Sequence, residues 1–93
     1  MKLKKINPDQ PFTIGKNYFI RTVTHHYTGR LLSVGKQELV IADAAWIADD
    51  GRFTQAVKDA AFNEVEPFPG EVIIGRGSIL DACVISSLPR EQK

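Results

Sequence analysis

Residues Asn17 to Thr24, NYFIRTVT, are aromatic or β-branched at most positions and alternate along the run. Tyr18, Ile20, Thr22 and Thr24 share one side, and Phe19, Arg21 and Val23 share the other. A period of two suits a strand that packs on at least one face and does not suit an amphipathic helix. Two further strand-like runs follow, Arg30 to Val34 and Leu39 to Ile47, joined by the turn-forming pair Gly35-Lys36. The segment HHYTG is expected to connect the first two runs. The third is long and is expected to bend at Asp43-Ala44-Ala45. Val72 to Ile85, VIIGRGSILDACVI, supplies two more runs, split by Gly75-Arg76-Gly77. Its glycines are expected to permit a sharp bend there, with the left-handed region open to them.

The period changes at DDGRFTQAVKDAAF, where Phe53, Val57, Ala60 and Ala61 recur at helical spacing. A short helix is expected over about residues 53–62, capped by Asp49, Asp50 or Thr54, with those four apolar residues packed on the strands. NEVEPFPG then ends the helix and returns the chain through two prolines. Five short strands with a helix between the third and the fourth predict a mainly β fold, a small SH3-like barrel. The chain is read as one domain over 1–93. It has an N-terminal arm (1–13), a barrel with its helical insertion (14–86) and a C-terminal tail (87–93).

Composition narrows the classes. Apolar and charged residues are at ordinary globular proportions, 43% and 25%, so the chain can fill a core and disorder is not expected. No apolar run approaches the ~20 residues of a bilayer span. MKLKKINPDQ has lysines without an apolar segment behind them, which does not read as a secretory signal. The single cysteine, Cys83, lies in a strand-like run and reads as a small buried hydrophobe. One cysteine forms no internal disulfide, which suits a reducing cytoplasm.

The net charge of +1 conceals an asymmetry: residues 1–36 carry +6 and residues 37–75 carry −6. Two arrangements are open. The halves form opposed faces, suited to an anion or to head-to-tail contact between copies, or they interleave in the fold and balance.

Chemistry-bearing residues are sparse. His25 and His26 are adjacent, so on an extended segment they point to opposite sides and do not grip one metal. No spaced set of Cys, His and Asp accompanies them, so no metal and no cofactor is expected. Asp49-Asp50 and Glu64/Glu66 read as a helix cap and a solvated loop rather than a general acid and base. No serine or cysteine has a base partner at a telling spacing. The expectation is a protein that is not an enzyme.

Trp46, in AAWIADDGRF, admits two readings. In one, Trp46 and Phe53 pin the helix to the strands. In the other, Trp46 and Arg52 join Tyr27 and Arg30 of the hairpin in a groove, where ring planes and guanidinium forks take a nucleobase and phosphate or an acidic protein loop.

Gly29 with LVIADA, and IIGRGSI (Ile73 to Ile79), resemble the two motifs of the Sm-like barrel family, the second being its Arg-Gly hinge between the last two strands. The resemblance implies a cyclic homo-oligomer built by strand pairing. The fourth strand would meet the fifth of the next copy, with Val72, Ile74, Leu80 and Val84 at the interface. It also implies that Arg76 stands at the barrel mouth. A charge between two glycines at a strand junction has little local reason, so its guanidinium is expected to reach a ligand phosphate or a carboxylate of an adjacent copy, with Glu38, Asp43 and Asp81 as candidates. RNA-binding members carry an Asp and an Asn in the loop between strands two and three. Here that loop is VGKQEL, with Gly35, Lys36 and Glu38, and a carboxylate neither donates to a base nor tolerates phosphate. The IRT…LVI.DA.WI core is also similar to small uncharacterised proteins of bacterial viruses. Two functions follow as expectations. The first is a non-enzymatic assembly or adaptor protein, in a host cytoplasm or a virion, with itself as partner. The second is a binder of a nucleotide, another small anion or single-stranded nucleic acid. The low net charge disfavours long nucleic acid.

Overall fold

A computed structural model describes residues 11–93; most of the expected N-terminal arm lies outside the described residues. Its strands are β1 (Asn17–Thr22), β2 (His26–Val34), β3 (Glu38–Asp49), β4 (Glu64–Pro67), β5 (Val72–Gly75) and β6 (Ile79–Val84). Among the described residues one α-helix, α1 (Phe53–Asp59), lies between β3 and β4, and a 3-10 turn, Arg76–Ser78, joins β5 to β6.

The architecture is mainly β, as expected, but the sheet has six strands and does not close. All pairings are antiparallel, in the order β4-β3-β2-β1-β6, and β5 also pairs with β3. The additional strand is β4, within the segment expected only to return the chain. Val65 is buried there between exposed Glu64 and Glu66, an alternation too short to stand out beside two prolines.

β3 organises the molecule because its twelve residues exceed what one neighbour needs. Its first part, Glu38 to Ile41, pairs with β5, and its last part, Ala45 to Asp49, pairs with β4. Between them the ladder to β2 slips at the expected bend, where Asp43 takes a positive φ of 50° opposite Gly29. Such a bulge re-aims a strand and increases its twist.

Both sheet faces carry a core, which the alternation in β1 foreshadows. Tyr18 and Ile20 join Leu31, Leu39, Ile41, Ala44 and Ile74 on one face. Phe19 joins Ala45, Ile47, Phe62, Val65 and Ile85 on the other, beneath Ala56 of α1. The inward residues of the helical region are therefore Ala56 and Phe62. Phe53 is 48% exposed, Ala61 is exposed, and Val57 and Ala60 lie at the margin of the second core. The helical spacing holds, but the buried stripe lies a step out of phase with the expected one, since a two-turn helix samples each face only once or twice.

The expected caps are also absent. Arg52 occupies the N-cap with no side-chain bond to the helix; Asp49 Oδ1 instead accepts from Gly51 N–H at 2.9 Å, and Asp50 turns to His26. Ala60 ends the helix in the left-handed region, φ 54°. Between β5 and β6 the turn is a 3-10 turn rather than a left-handed bend. Gly75 has φ −67°, and neither Gly75 nor Gly77 has a positive φ.

The expected tail is built into the fold. Just before it, Ile85 donates its N–H to Asn17 O at 2.9 Å and is buried; within it, Leu88 packs on the second core and Lys93 exchanges backbone bonds with Val65. At the other end Phe12 packs edge-on to Tyr18, ring centroids 5.5 Å apart, and Thr13 N–H donates to Tyr18 Oη at 2.9 Å.

Candidate functional site

The residues expected to line one ligand groove fall into separate places. Tyr27 and Trp46 are direct cross-strand partners. Trp46 is 38% exposed, with His25 against it at 5.7 Å between ring centroids, and Tyr27 stacks on Phe68 at 6.1 Å. This aromatic row lies opposite Ala45 and Ile47, which pack under α1, so Trp46 does not pin the helix. Arg30 is three residues from Tyr27 along an unbroken β1–β2 register and therefore projects from the other face, where it pairs with Asp43. Arg52 is exposed at the start of α1.

Arg76 lies at the opposite end of β3 from Trp46. Its backbone N–H donates to Gln37 O at 2.9 Å and its Nη1 to Gly35 O at 2.7 Å, with the guanidinium 5.9 Å from the Phe12 ring. The side chain thus ties the 3-10 turn to the β2–β3 turn, an internal partner that explains a charge between two glycines.

The two charge halves meet where Arg30 pairs with Asp43; Arg21 forms a two-pronged pair, Nε to Oδ1 at 2.7 Å, with Asp81, which lies outside both halves. His26 Nδ1 lies 2.9 and 3.0 Å from the two oxygens of Asp50. Hydrogen bonding and charge from Arg30 hold the Asp43 carboxyl below its ordinary range, and Arg21 does the same for Asp81. Arg21 also lies 4.9 Å from the Phe53 ring, which places that exposed phenylalanine over an ion pair instead of in a core. None of these pairs was legible in the sequence, because each joins residues that only the register brings opposite one another.

Cys83 is half-buried in β6 opposite Phe19, and burial pushes its thiol up, away from the reactive thiolate. No group of three or more His, Cys, Asp or Glu placed to hold a metal occurs among the described residues. Among them no helix is long and apolar enough to cross a membrane.

Two strands at sheet edges carry exposed apolar side chains. Among the described residues β5 pairs only with β3, and β6 pairs only with β1. Ile73 on β5 is 72% exposed, and Leu80 and Val84 on β6 are 68% and 54% exposed. Of the residues expected at an interface, Leu80 and Val84 are available there. Ile74 is buried in the first core and Val72 packs against it, so Ile73 is the outward residue of β5. The outward position of β5 is one residue away from those expected, because the run VIIG is apolar throughout and hides its own alternation.

Compared with family models, curated proteins and solved structures, the chain shows no significant match.

Proposed function

We propose that the protein is a non-enzymatic assembly module, joining β5 of one copy to β6 of the next in a closed homo-oligomer. The observation that carries this reading is the pair of strand edges, unpartnered among the described residues, with Ile73, Leu80 and Val84 exposed along them. Neither strand contains a lysine or a proline, the residues that commonly deter edge pairing. Joining two different edges is a heterologous contact, which makes a ring when the rotation closes. On this reading β1, β2, β3, β5 and β6 form a variant of the Sm-like barrel, and β4 with α1 is an addition to it.

The nucleotide reading has less support. Its aromatic residues, Tyr27 and Trp46, stand together, but Arg30 projects from the other face and is paired with Asp43, and Arg76 bonds Gly35.

Sedimentation velocity at micromolar concentration tests the proposal. Wild type should sediment as one species of several subunits. Ile73→Lys should shift it to monomer with little change in melting temperature, because the side chain is outside the core. A wild type that sediments only as monomer overturns the reading.

A further inference from the structure

On the sheet face away from α1, Tyr27, Trp46 and Glu66 stand in one line across β2, β3 and β4, each the direct cross-strand partner of the next. Such partners have Cβ atoms about 4.5–5.5 Å apart, so Trp46 stands between a phenol ring and a carboxylate. His25 is edge-on to Trp46, and Tyr27 continues the row to Phe68. The only tryptophan of the chain is thus exposed on an interior strand, in a domain small enough to need its large side chains in a core. Val65 is buried in the second core, so Glu64 and Glu66 on either side of it both leave β4 on the tryptophan face, and Asp49 lies opposite Glu64. Ion pairs among the described residues lie elsewhere: Arg21–Asp81, His26–Asp50 and Arg30–Asp43. Glu66 accepts only a long bond from Gln92 Nε2, 3.4 Å. The cations of the C-terminal segment are committed to carbonyls, Arg90 to Ala44 O at 2.6 Å and Phe68 O at 3.5 Å, and Lys93 Nζ to Phe62 O at 2.8 Å. The guanidinium groups that lie over rings are Arg21 on Phe53 and Arg76 on Phe12, so among the described residues none covers Trp46.

We infer that this row is a docking site for a basic segment of another protein, which lays an arginine guanidinium on the Trp46 ring within reach of Glu66. The face of an indole is the negative pole of its quadrupole and attracts a cation more strongly than phenol or phenyl does. Glu66 adds a carboxylate whose two oxygens match the fork of a guanidinium, a match that an ammonium does not make. Charge decides between ligands. A nucleotide gains the same stacking but brings its phosphate against Glu64, Glu66 and Asp49, while Arg30 projects from the other face and is paired with Asp43. Complementarity therefore selects a basic partner, the reverse of the anionic ligand expected of these rings. Trp46 pairs at the opposite end of β3 from the residues that meet β5, and the inference does not rest on the assembly reading.

The single tryptophan makes the test direct, because intrinsic tryptophan fluorescence reports Trp46 alone. Titration of the full chain with a hexa-arginine peptide at low salt should change that fluorescence to saturation, and hexa-lysine should bind more weakly. The net charge of +1 gives a polycation no general attraction to the protein. Anisotropy of a fluorescein-labelled hexa-arginine peptide then follows the variants. Trp46→Leu should weaken binding about tenfold, the scale of a desolvated cation–π contact. Glu66→Gln should weaken it about threefold, the scale of an exposed ion pair. Glu66 is exposed, so this second variant reads the site even where Trp46→Leu fails to fold. No response to hexa-arginine overturns the inference. Binding that folded Trp46→Leu and Glu66→Gln both retain in full is attraction to some other part of the surface and overturns it too. A response to uridine monophosphate in place of the peptide overturns it in favour of the nucleotide reading.

Discussion

Ile41 crosses Gly29 so closely that a Cβ on the glycine would lie 2.7 Å from Ile41 Cδ1 and 2.8 Å from Ile41 Cβ. The approach is possible because β3 bulges at Asp43, opposite Gly29, and brings Ile41 across the bare backbone of β2. Gly29 has no positive φ, so the constraint is space and not backbone conformation. Gly29→Ala should therefore destabilise the protein by roughly 1–3 kcal/mol, the range for overpacking a full core. Ile41→Val in the same chain removes Cδ1 but not Cβ, so it should restore part of the loss. Urea denaturation of the two single variants and the double variant measures this coupling.

Two phenylalanines flanking α1 should behave oppositely. Phe62 is buried in the second core with its ring 5.3 Å from Phe19, whereas Phe53 is 48% exposed over Arg21. Phe62→Ala should lower stability by about 3–5 kcal/mol. Phe53→Ala should lower it by less than about 1 kcal/mol, the scale of an exposed cation–π contact. Equal melting-temperature shifts in the two variants would show that the helical region packs differently.

Legibility in the sequence followed the physical range of each signal. The alternation of β1 depends on neighbours two residues apart, and it correctly separated Tyr18 and Ile20 from Phe19. The bend at Asp43 was legible for the same local reason. The β4 strand was not, because only Val65 alternates there and its partner Ile47 is distant in sequence. The site suffered most. Tyr27 and Arg30 look adjacent in a hairpin, yet a spacing of three on a regular strand puts them on opposite faces. The roles of Arg90 and Lys93 lie in backbone carbonyls, which no residue type announces.

Thr28 is fully buried between the strands, and its Oγ1 has no hydrogen-bond partner. A buried hydroxyl without a partner retains its desolvation penalty, and valine has nearly the same shape and an equal preference for strands. Thr28→Val should accordingly raise stability by about 1 kcal/mol, or roughly 4–8 °C in melting temperature for a domain of this size. A lower melting temperature would mean that the hydroxyl holds a buried water.

Acid should weaken the fold through Asp81 and Asp43. Both carboxyls are held below their ordinary range by hydrogen bonds from Arg21 and Arg30. A depressed folded-state value stabilises the fold above the unfolded-state value, near pH 4, and that stabilisation is lost as pH falls further. Stability should thus be flat from pH 7 to about 5 on this account and decline below about 4. Both pairs are largely exposed, so the effect should be modest and should shrink in high salt. Asp81→Asn should be less stable than wild type at pH 7, with the two curves converging in acid. Parallel curves in urea melts from pH 7 to 2.5 would exclude Asp81 as a contributor.

Arg76 distinguishes an internal strut from an interface group. Its guanidinium bonds Gly35 O and lies by the Phe12 ring, while its backbone N–H bonds Gln37 O. The backbone bond survives any substitution, so Arg76→Ala removes only the side-chain tie to the β2–β3 turn. A partly buried bond from a charged donor is worth about 1.5–3 kcal/mol, and exposure places this one near the lower figure. Arg76→Ala should therefore reduce stability by about 1–2 kcal/mol. Arg76→Lys should recover less than half of that, since an ammonium cannot match the planar fork that reaches the carbonyl and lies by the ring. Subunit number in sedimentation should be unchanged in both variants, because the contacts of Arg76 are within its own chain. Unchanged melting with a dissociated oligomer would reverse the assignment and place the guanidinium between copies.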